Sequence, residues 1–378
     1  MKVLILSCNT GAGHNACARA VQEELTERHL PCDIRDALAF VSKDVSNLIS
    51  QGHIWLYKNI PQLWAEGYSF AEKHPQSMDD DSAIYRLLAL GCNRLRTCIE
   101  SQGYTDVIST HLFPAMMLTH IQRTDPMPIQ TAFIATDYTA SPGYDTIVTD
   151  WCFMPDDSLR EEFSHADVPA EHIVSSGIPV RPVFHQRVER REARRRLGLN
   201  PDHRHLVAMC GSMGCGPMRD ILRQLVGLLP GDVEISAICG TNQKLSRKLD
   251  RSLGDFPNIH IHDFVENVSL LLDSADLYLT KPGGLSSSEA LAKQLPMVLI
   301  PAVAGLESYN NQFFTRLGGA LTAATPAGIA AQCAALLGHP ERLEAMRGAM
   351  AEGSRKRPAQ TVCDCMIGDR AQKGRSGA

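Results

Sequence analysis

Short apolar runs alternate along this chain with longer stretches whose polar and apolar positions have the spacing of amphipathic helices. In the first half, the helical spacing is clearest from Ala16 to Arg28. Unbroken apolar runs bounded by helices are typical of parallel strands that are buried on both faces. The pattern therefore predicts an α/β fold with two domains, each built on a parallel sheet. The predicted strands are VLILS, VIST and IQTAFIAT in the first domain, and HLVAMCG, VEISAICG, IHIHDFV, LYLT and MVLIP in the second.

A proline-broken segment followed by a charged helix separates the two halves. The segment SSGIPVRPVF occupies residues 175–184, and a basic run continues from Arg187 to Arg196. Because Glu189 and Glu192 interrupt this run, we interpret it as a solvated helix face rather than a nucleic-acid patch. The predicted organisation is a first domain at residues 1–178, a second at 179–345 and a tail at 346–378, whose polar end from Glu352 onward is expected to be partly disordered.

Composition excludes several classes of protein. The 378 residues are 44% hydrophobic, enough for two ordinary cores, and the net charge of −5 predicts no nucleic-acid partner. The twelve cysteines lack the paired spacings of a zinc site and predict reduced residues of a cytoplasmic protein. Cys363 and Cys365 form one close pair without a second, so no metal is expected. No apolar run approaches the length of a membrane span, so any membrane contact would be peripheral.

The segment from Asp276 to Gln312 is the most informative part of the chain. A predicted strand ends at Pro282-Gly283-Gly284, and a helix opens directly after this turn. Glycines let a phosphate approach the backbone, and the N–H groups of a helix N-terminus favour an anion. Glu289 can accept two hydroxyl hydrogen bonds, as from a ribose. The segment therefore predicts a nucleotide diphosphate site, with a second polar cluster at Glu307, Asn310 and Asn311.

A second glycine-containing loop follows the first predicted strand, between Asn9 and Asn15. Its position is that of a dinucleotide fingerprint, and Asp36 follows the next apolar segment at about the distance of a ribose-binding acid. However, Ala16 stands where the third glycine is expected, and a cofactor here would leave the second nucleotide-like site unexplained. An NAD-dependent enzyme is therefore a minor alternative.

Five motifs, in family order, resemble those of a known group of enzymes. The chain resembles the GT-B glycosyltransferases that include MurG, monogalactosyldiacylglycerol synthase and the processive diacylglycerol glucosyltransferases, and it resembles the last two most. The resemblance implies two Rossmann-like domains with parallel sheets that face across a cleft. It also implies an N-terminal domain for a lipid acceptor and a C-terminal domain for a UDP-sugar. The motifs are CNTGAGHNACARAV, IATDY, SSGIPVRPVF, MCGSMG, and TKPGGLSSSEA with PAVAGLESYNN.

The resemblance implies a role for each part of the donor site. The loop after HLVAMC would hold the β-phosphate, and its helix would offset the charge on the departing UDP in place of a metal. No cofactor is implied, since the UDP-sugar is a substrate. Phe264 and Val265 would seat the uracil, although both could instead be core residues. The implied UDP-sugar contacts are Gly211, Ser212, Met213, Gly214, Phe264, Val265, Lys281, Gly283, Gly284, Ser286, Glu289, Glu307, Asn310 and Asn311.

The same resemblance implies two candidates for the general base. His14, beside Gly13, would stand at the acceptor hydroxyl, because a histidine suits removal of one proton near neutral pH. The alternative is a histidine that only caps the helix. Asp137 follows a predicted strand, where ligands bind in such sheets, and is the other candidate. The family motif usually continues TDY-x-x-H, and here Ser141 stands in place of that histidine.

Aromatic residues are concentrated between Ser46 and Phe70, and Trp55 and Trp64 lie in this stretch. Tryptophan and tyrosine favour a membrane interface, so we interpret the stretch as a contact with the lipid acceptor and an anionic membrane surface. A core helix with the same spacing is the alternative.

These observations predict an inverting glycosyltransferase that moves a hexose from a UDP-sugar to a membrane lipid, with diacylglycerol as the expected acceptor. The expected location is cytoplasmic, on the inner face of the cell membrane. One alternative is a MurG-like or other transferase with a non-glycerolipid acceptor. A second is a sensor that binds a UDP-sugar without turnover, since Ser141 departs from the family motif. The identity of the sugar is left open.

Overall fold

The structure is a computed structural model that describes residues 1–9, 11–49, 52, 66, 69–70, 72–79, 82–211, 214, 216–302 and 305–376. The strands are β1 Val3–Ser7, β2 Cys32–Asp36, β3 Asp106–Ser109, β4 Gln130–Ile134, β5 Trp151–Met154, β6 Ile173–Ser175, β7 Arg204–Met209, β8 Val233–Ile238, β9 Ile259–His262, β10 Leu277–Thr280, β11 Met297–Leu299 and β12 Ala320–Thr322.

α-Helices lie between and after these strands along the described part of the chain. They are α1 Ala12–Glu27, α2 Leu38–Val41, α3 Ala83–Gln102, α4 Leu112–Thr124, α5 Arg190–Arg196, α6 Met218–Val226, α7 Gln243–Leu253, α8 Val268–Ser274, α9 Gly284–Lys293, α10 Leu306–Leu317, α11 Pro326–Gly338, α12 Pro340–Ala349 and α13 Pro358–Ser376. Short 3₁₀ helices lie at Pro75–Met78, Tyr144–Thr146, Asp157–Leu159, Ala170–His172, Pro182–Phe184 and Gly353–Arg355.

The chain divides into two compact units. The first contains Met1–Pro182, Ala304–Leu306 and Arg357–Ala378, and the second contains Val183–Val303 and Glu307–Lys356. The first segment of the first unit ends at Pro182, and the boundary was predicted at residue 178. The predicted tail divides between the units, because α12 belongs to the second unit and α13 to the first.

The first unit is built on a six-stranded sheet with the order β2-β1-β3-β4-β5-β6. All of its strand pairs are parallel, as the apolar runs predict. The central strands β1 and β3 are buried along their whole length, with a core that the inner faces of α3 and α4 complete. Because β1, β3 and β4 are neighbours, the loops after them emerge side by side at the carboxyl edge of the sheet.

The second unit has a parallel sheet with the order β12-β11-β10-β7-β8-β9. The strands β7 and β10 are adjacent, and Met209 is paired with Thr280 at their carboxyl ends. The loops that follow these two strands are therefore brought together, although about seventy residues separate them in sequence. The prediction of two α/β domains with parallel sheets is confirmed.

The polar C-terminal end is ordered as a helix, so the expectation of disorder from Glu352 onward is wrong for most of this segment. Ala359, Val362, Cys363 and Met366 on α13 are buried. Arg28, the C-cap residue of α1, forms an ion pair with Asp364, with 2.5 Å between Nη1 and Oδ1. These residues supply a packed face that the segment's low average hydropathy conceals.

No helix in the described ranges is both long enough and apolar enough to cross a membrane.

Candidate functional site

Two glycine turns meet at a lysine in the second unit. Gly211 follows β7 and Lys281 follows β10, and these strands are neighbours in the sheet. A Cβ atom at Gly211 would lie 3.1 Å from Cε of Lys281, and one at Gly283 would lie 3.7 Å from the same atom. Gly211 also has a φ of +70°, which disfavours any larger residue. The alkyl chain of Lys281 thus runs between the two turns.

Lys281 is paired with Glu307, with 2.6 Å between Nζ and Oε1. The two side chains are only 22% and 14% exposed, so the pair is largely shielded from solvent. A partly buried ammonium attracts anions more strongly than an exposed one, because water screens it less. The Lys281 ammonium is therefore held beside the two turns, with its charge balanced by Glu307 in this structure.

The turn after β10 leads directly into α9, whose N-cap is Gly283. Its shape is held by hydrogen bonds from the Gly283 N–H to the Lys281 carbonyl oxygen at 2.8 Å and from Asn310 Nδ2 to the Pro282 carbonyl oxygen at 3.0 Å. Asn310 is fully buried, so in this structure it braces the turn from behind. The partial positive charge of the α9 N-terminus adds to that of Lys281.

The side chains of the first turns of α9 differ in their roles. Ser286 Oγ donates to the Gly283 carbonyl oxygen at 3.3 Å, and Ser288 Oγ donates to the Gly284 carbonyl oxygen at 2.7 Å. Glu289 is partly exposed. Burial raises the pKa of Tyr278 well above its ordinary value, and the nearby Glu289 carboxylate adds to the shift. Glu289 therefore lies near enough to Tyr278 of β10 for its charge to act on that hydroxyl.

The remaining predicted donor-site residues include Phe264, Val265 and Asn311. Phe264 follows β9 and is 64% exposed, which excludes the alternative that it is a core residue, and Val265 is partly buried. Asn311 accepts a hydrogen bond from Thr315 Oγ1 at 3.1 Å. Ser212 and Met213 lie outside the described residues.

Gly214 closes the turn after β7. It has a φ of +54°, and its N–H donates to the Gly211 carbonyl oxygen at 3.1 Å. A Cβ atom here would lie 2.4 Å from the carbonyl oxygen of Cys239, so only glycine fits. Tight glycine turns of this kind leave backbone N–H groups close to a ligand.

In the first unit, His14 lies in the first turn of α1, which begins at Ala12 rather than at the predicted Ala16. The N-cap of α1 is Gly11, so the alternative that His14 caps this helix is wrong. Gly13 precedes His14 in the same turn. The His14 ring is partly buried beside the carboxyl ends of β3 and β4.

Two groups fix the Nδ1 side of the His14 ring. Nδ1 lies 2.9 Å from the carbonyl oxygen of Thr110 and 3.0 Å from Oγ1 of Thr136. A carbonyl oxygen can only accept, so Nδ1 carries the proton and donates it. In the neutral ring, Nε2 is then the nitrogen with the lone pair, which is the atom a general base uses.

The sequence-based prediction missed a second histidine at this edge. The rings of His14 and His111 are 4.6 Å apart between centroids, at an interplanar angle of 71°. His111 follows β3 and is the N-cap of α4, where its Nδ1 accepts a hydrogen bond from the Phe113 N–H at 3.1 Å. Its position after a buried strand is the signal that identified Asp137, and the same rule applied to VIST would have found it.

Asp137 is the third residue beyond β4 and is partly buried. Thr136 beside it contacts the His14 ring, so β4 brings the Asp137 region to the same edge of the sheet. The following loop is held by Thr139 Oγ1, which donates to Glu162 Oε2 at 2.8 Å. Ser141 contributes its carbonyl oxygen to a hydrogen bond with the Tyr144 N–H.

The carboxylate of Asp36 is engaged by its own unit. Its oxygens accept hydrogen bonds from Asn9 Nδ2 at 3.1 Å, from the Leu38 N–H at 3.2 Å and from Ser46 Oγ. A ribose would have to displace these donors, which argues against the dinucleotide alternative. Of the predicted membrane contacts, Trp55 and Trp64 lie outside the described residues, whereas Leu48 and Phe70 nearby are 73% and 58% exposed.

Two family models match the chain. Residues 14–180 match the family described as monogalactosyldiacylglycerol (MGDG) synthase, and residues 205–362 match the glycosyltransferase family 28 C-terminal domain. A processive diacylglycerol β-glucosyltransferase of Staphylococcus saprophyticus is 24% identical over 358 residues, which cover 92% of this chain and 88% of that protein.

Solved structures share the fold at low sequence identity. The MurG structure from Acinetobacter baumannii has a TM-score of 0.64 at 15% identity, covering 97% of this chain and 99% of that one. A UDP-GlcNAc 2-epimerase from Neisseria meningitidis, solved with UDP-GlcNAc bound, has a TM-score of 0.62 at 11% identity, covering 97% and 100%. At these identities the likeness concerns the fold alone.

Proposed function

We propose that this chain, which belongs to the GT-B glycosyltransferases of the MurG, monogalactosyldiacylglycerol synthase and processive diacylglycerol glucosyltransferase family, transfers a hexose from a UDP-sugar to a membrane lipid. The proposed acceptor is diacylglycerol, and the proposed outcome is inversion at the anomeric carbon. The family description and the named activity of the relative support a lipid acceptor.

The observation that carries the proposal is the position of Lys281 between two glycine turns, with the α9 N-terminus beside it. A diphosphate is a compact anion that needs cationic charge and backbone N–H groups at close range. In the second unit, Lys281 supplies the cationic charge, and the N-terminus of α9, which begins at Gly284, supplies the N–H groups. We infer that the diphosphate of a nucleotide sugar binds here.

The two ends of the donor would then lie on either side of the diphosphate. On the nucleotide side, the Glu289 carboxylate suits the two ribose hydroxyls, and the exposed ring of Phe264 suits contact with the base. On the sugar side, Glu307 and Asn311 on α10 offer a carboxylate and an amide for hexose hydroxyls. Gly283, Gly284 and Ser286 would border the phosphates.

The departing UDP gains negative charge as the bond to the sugar breaks. Lys281 and the N-terminus of α9 are fixed groups whose positive charge would stabilise that developing charge. A preorganised site of this kind needs no reorganisation during the reaction. We therefore propose that Lys281 and the N-terminus of α9 stabilise UDP as the leaving group.

The first unit supplies the base in this proposal. His14 has its Nδ1 proton directed at Thr110 and its lone pair on Nε2, which is the state needed to accept a proton from the acceptor hydroxyl. The hydroxyl oxygen then bonds to the anomeric carbon while the bond from that carbon to UDP breaks with its electron pair. One displacement of this kind inverts the anomeric carbon. Asp137 is proposed to orient His14 or the acceptor.

We propose that the protein acts on its acceptor as a peripheral protein at the inner face of the cell membrane. The lipid acceptor named for the relative supports this location. The exposed Leu48 and Phe70 lie near the two ends of the aromatic stretch that contains Trp55 and Trp64, and exposed apolar side chains of this kind favour a membrane interface.

A donor and acceptor screen tests the proposal. Purified protein is incubated with UDP-glucose, UDP-galactose or UDP-N-acetylglucosamine, each labelled in the sugar, and with vesicles that contain or lack diacylglycerol. We expect label in the lipid fraction only when diacylglycerol is present, with an anomeric configuration opposite to that of the donor. Label in a different lipid would favour a non-glycerolipid acceptor. Tight UDP binding without any transfer would favour the sensor alternative.

A further inference from the structure

His14 and His111 meet because β1 and β3 are neighbours in the first sheet. Each histidine follows one of these strands, and their rings are 4.6 Å apart at an angle of 71°, so the edge of one ring faces the other. Edge-to-face contacts of this kind fix the mutual orientation of two aromatic rings. His111 is itself held from the other side, because its ring also lies 4.7 Å from that of Phe113.

The two rings have different protonation patterns, and the backbone dictates both. The Thr110 carbonyl oxygen accepts from His14 Nδ1, so that nitrogen carries a proton. The Phe113 N–H donates to His111 Nδ1, so that nitrogen carries a lone pair and the proton of the neutral ring is on Nε2. Protonation of His111 would put a second N–H against the Phe113 N–H and break the cap of α4. The cap therefore favours a neutral His111.

We propose that His111 is a positioning residue for His14: its ring fixes the plane of the His14 imidazole, so that Nε2 stays aligned for proton transfer from the acceptor. This inference rests on the proposed function, in which His14 is the base. A misplacement of about 1 Å at a reacting group can cost about 10²-fold in rate. Loss of the contact that orients the His14 ring is therefore expected to lower kcat.

The neutral state of His111 has a second consequence for the same step. When His14 takes the acceptor proton, it becomes a cation. A second imidazolium within about 4–6 Å would disfavour that cation through repulsion between like charges. A capped, neutral His111 supports the His14 ring without adding this penalty.

Two variants separate the ring of His111 from its capping role. His111→Asn keeps a side-chain oxygen that can accept from the Phe113 N–H but removes the ring, since asparagine is among the best N-cap residues. His111→Phe keeps a ring edge but removes the capping acceptor. Ser82→Ala is the matched control, because it removes a cap of α3 in the same unit, where Ser82 Oγ accepts from the Tyr85 N–H at 3.1 Å.

We expect activity and thermal stability to respond in opposite ways. His111→Asn should lower kcat about tenfold or more at a parental melting temperature, whereas His111→Phe should restore most of kcat at a lower melting temperature. Ser82→Ala should melt earlier with parental kcat. UDP affinity, measured by calorimetry, should be parental in all three. Parental kcat in His111→Asn, or a loss in His111→Phe as large as in His111→Asn, would overturn the proposal.

A measurement without turnover separates this inference from the proposed function. NMR relaxation of the His14 ring should show a rigid side chain in the parent and in His111→Phe, and a mobile one in His111→Asn. A His14 ring that is equally rigid in His111→Asn would overturn the positioning role even if the parent transferred no sugar. Absence of transfer by the parent, with the expected ring mobility, would count against the proposed function alone.

Discussion

Lys281 and Glu307 form a 2.6 Å ion pair at the carboxyl edge of the second sheet, although 26 residues separate them in sequence. The pair balances the charge of the lysine while its alkyl chain lies against Gly211 and Gly283. A diphosphate carries more negative charge than one carboxylate and can also use the N–H groups of α9. A bound nucleotide would therefore gain the attraction of Lys281 at the place where the two turns converge.

The first prediction concerns this lysine. Lys281→Met should lower the affinity for UDP about tenfold or more, because a charge-assisted hydrogen bond contributes about 1.5–3 kcal/mol. Titration calorimetry with UDP measures the change. Lys248→Met, which removes an exposed lysine of the same unit, is the control and should bind UDP like the parent. If a folded Lys281→Met variant bound UDP with parental affinity, the diphosphate would not bind at Lys281.

Glu289 is predicted to accept the ribose hydroxyls. Glu289→Ala should weaken UDP binding about tenfold or more. The parent should also bind 2′-deoxy-UDP more weakly than UDP, and this discrimination should disappear in the variant. Glu341→Ala, an exposed substitution on α12, is the matched control. If Glu289→Ala still discriminates between the two nucleotides, the ribose is read by another residue.

The two candidate bases are separated by activity measured against pH. Loss of a general base costs typically about 10²–10⁴-fold in kcat, so His14→Ala should lose activity by that order while UDP binding stays intact. The base works unprotonated, so parental activity should fall on the acidic side as the imidazole gains a proton. That limb should vanish in the residual activity of His14→Ala and persist in Asp137→Asn. A His14→Ala enzyme with near-parental turnover would assign the role to Asp137.

Vesicle binding tests the aromatic stretch. The protein should partition onto vesicles that contain anionic lipid, and replacing Trp55 and Trp64 with alanine should weaken this partition while UDP binding persists. Sedimentation with vesicles of increasing anionic content measures the effect. Trp151→Phe is a control, because Trp151 lies in β5 and is only 9% exposed. Parental partition of both alanine variants, or their unfolding, would place the lipid-binding surface elsewhere.

Acid should destabilise the protein through His205. Burial, helped by the charge of Arg194, lowers the pKa of His205 to about 3. Below the ordinary histidine pKa of about 6.5, the unfolded chain binds a proton at His205 that the folded chain does not. The free energy of unfolding therefore decreases as pH falls toward 3. The stability advantage of the parent over His205→Leu should shrink by about 1.4 kcal/mol per pH unit below about pH 6. Denaturant unfolding at several pH values measures it, and a constant difference would contradict the prediction.

Much of the fold could be predicted because it is written in local patterns. The runs VLILS and LYLT are strands β1 and β10, as their unbroken apolar character indicates. The strands β2, β5, β6 and β12 were not predicted. The sequence of β2, CDIRD, has no unbroken apolar run, and the other three have only three or four residues each. The α13 helix was also missed, because its buried positions lie within a segment that is polar on average.

The sequence by itself determined the α/β class, the glycine turns, the helix that opens after Gly283 and the position of His14 near a strand end, because each depends on neighbouring residues in the chain. The tertiary structure alone decided which of these groups meet. Lys281 reaches Gly211 because β10 lies beside β7, and His111 reaches His14 because β3 lies beside β1. Strand order depends on how helices cover both faces of a sheet, so contacts between distant loops are a property of the whole core and not of any local segment.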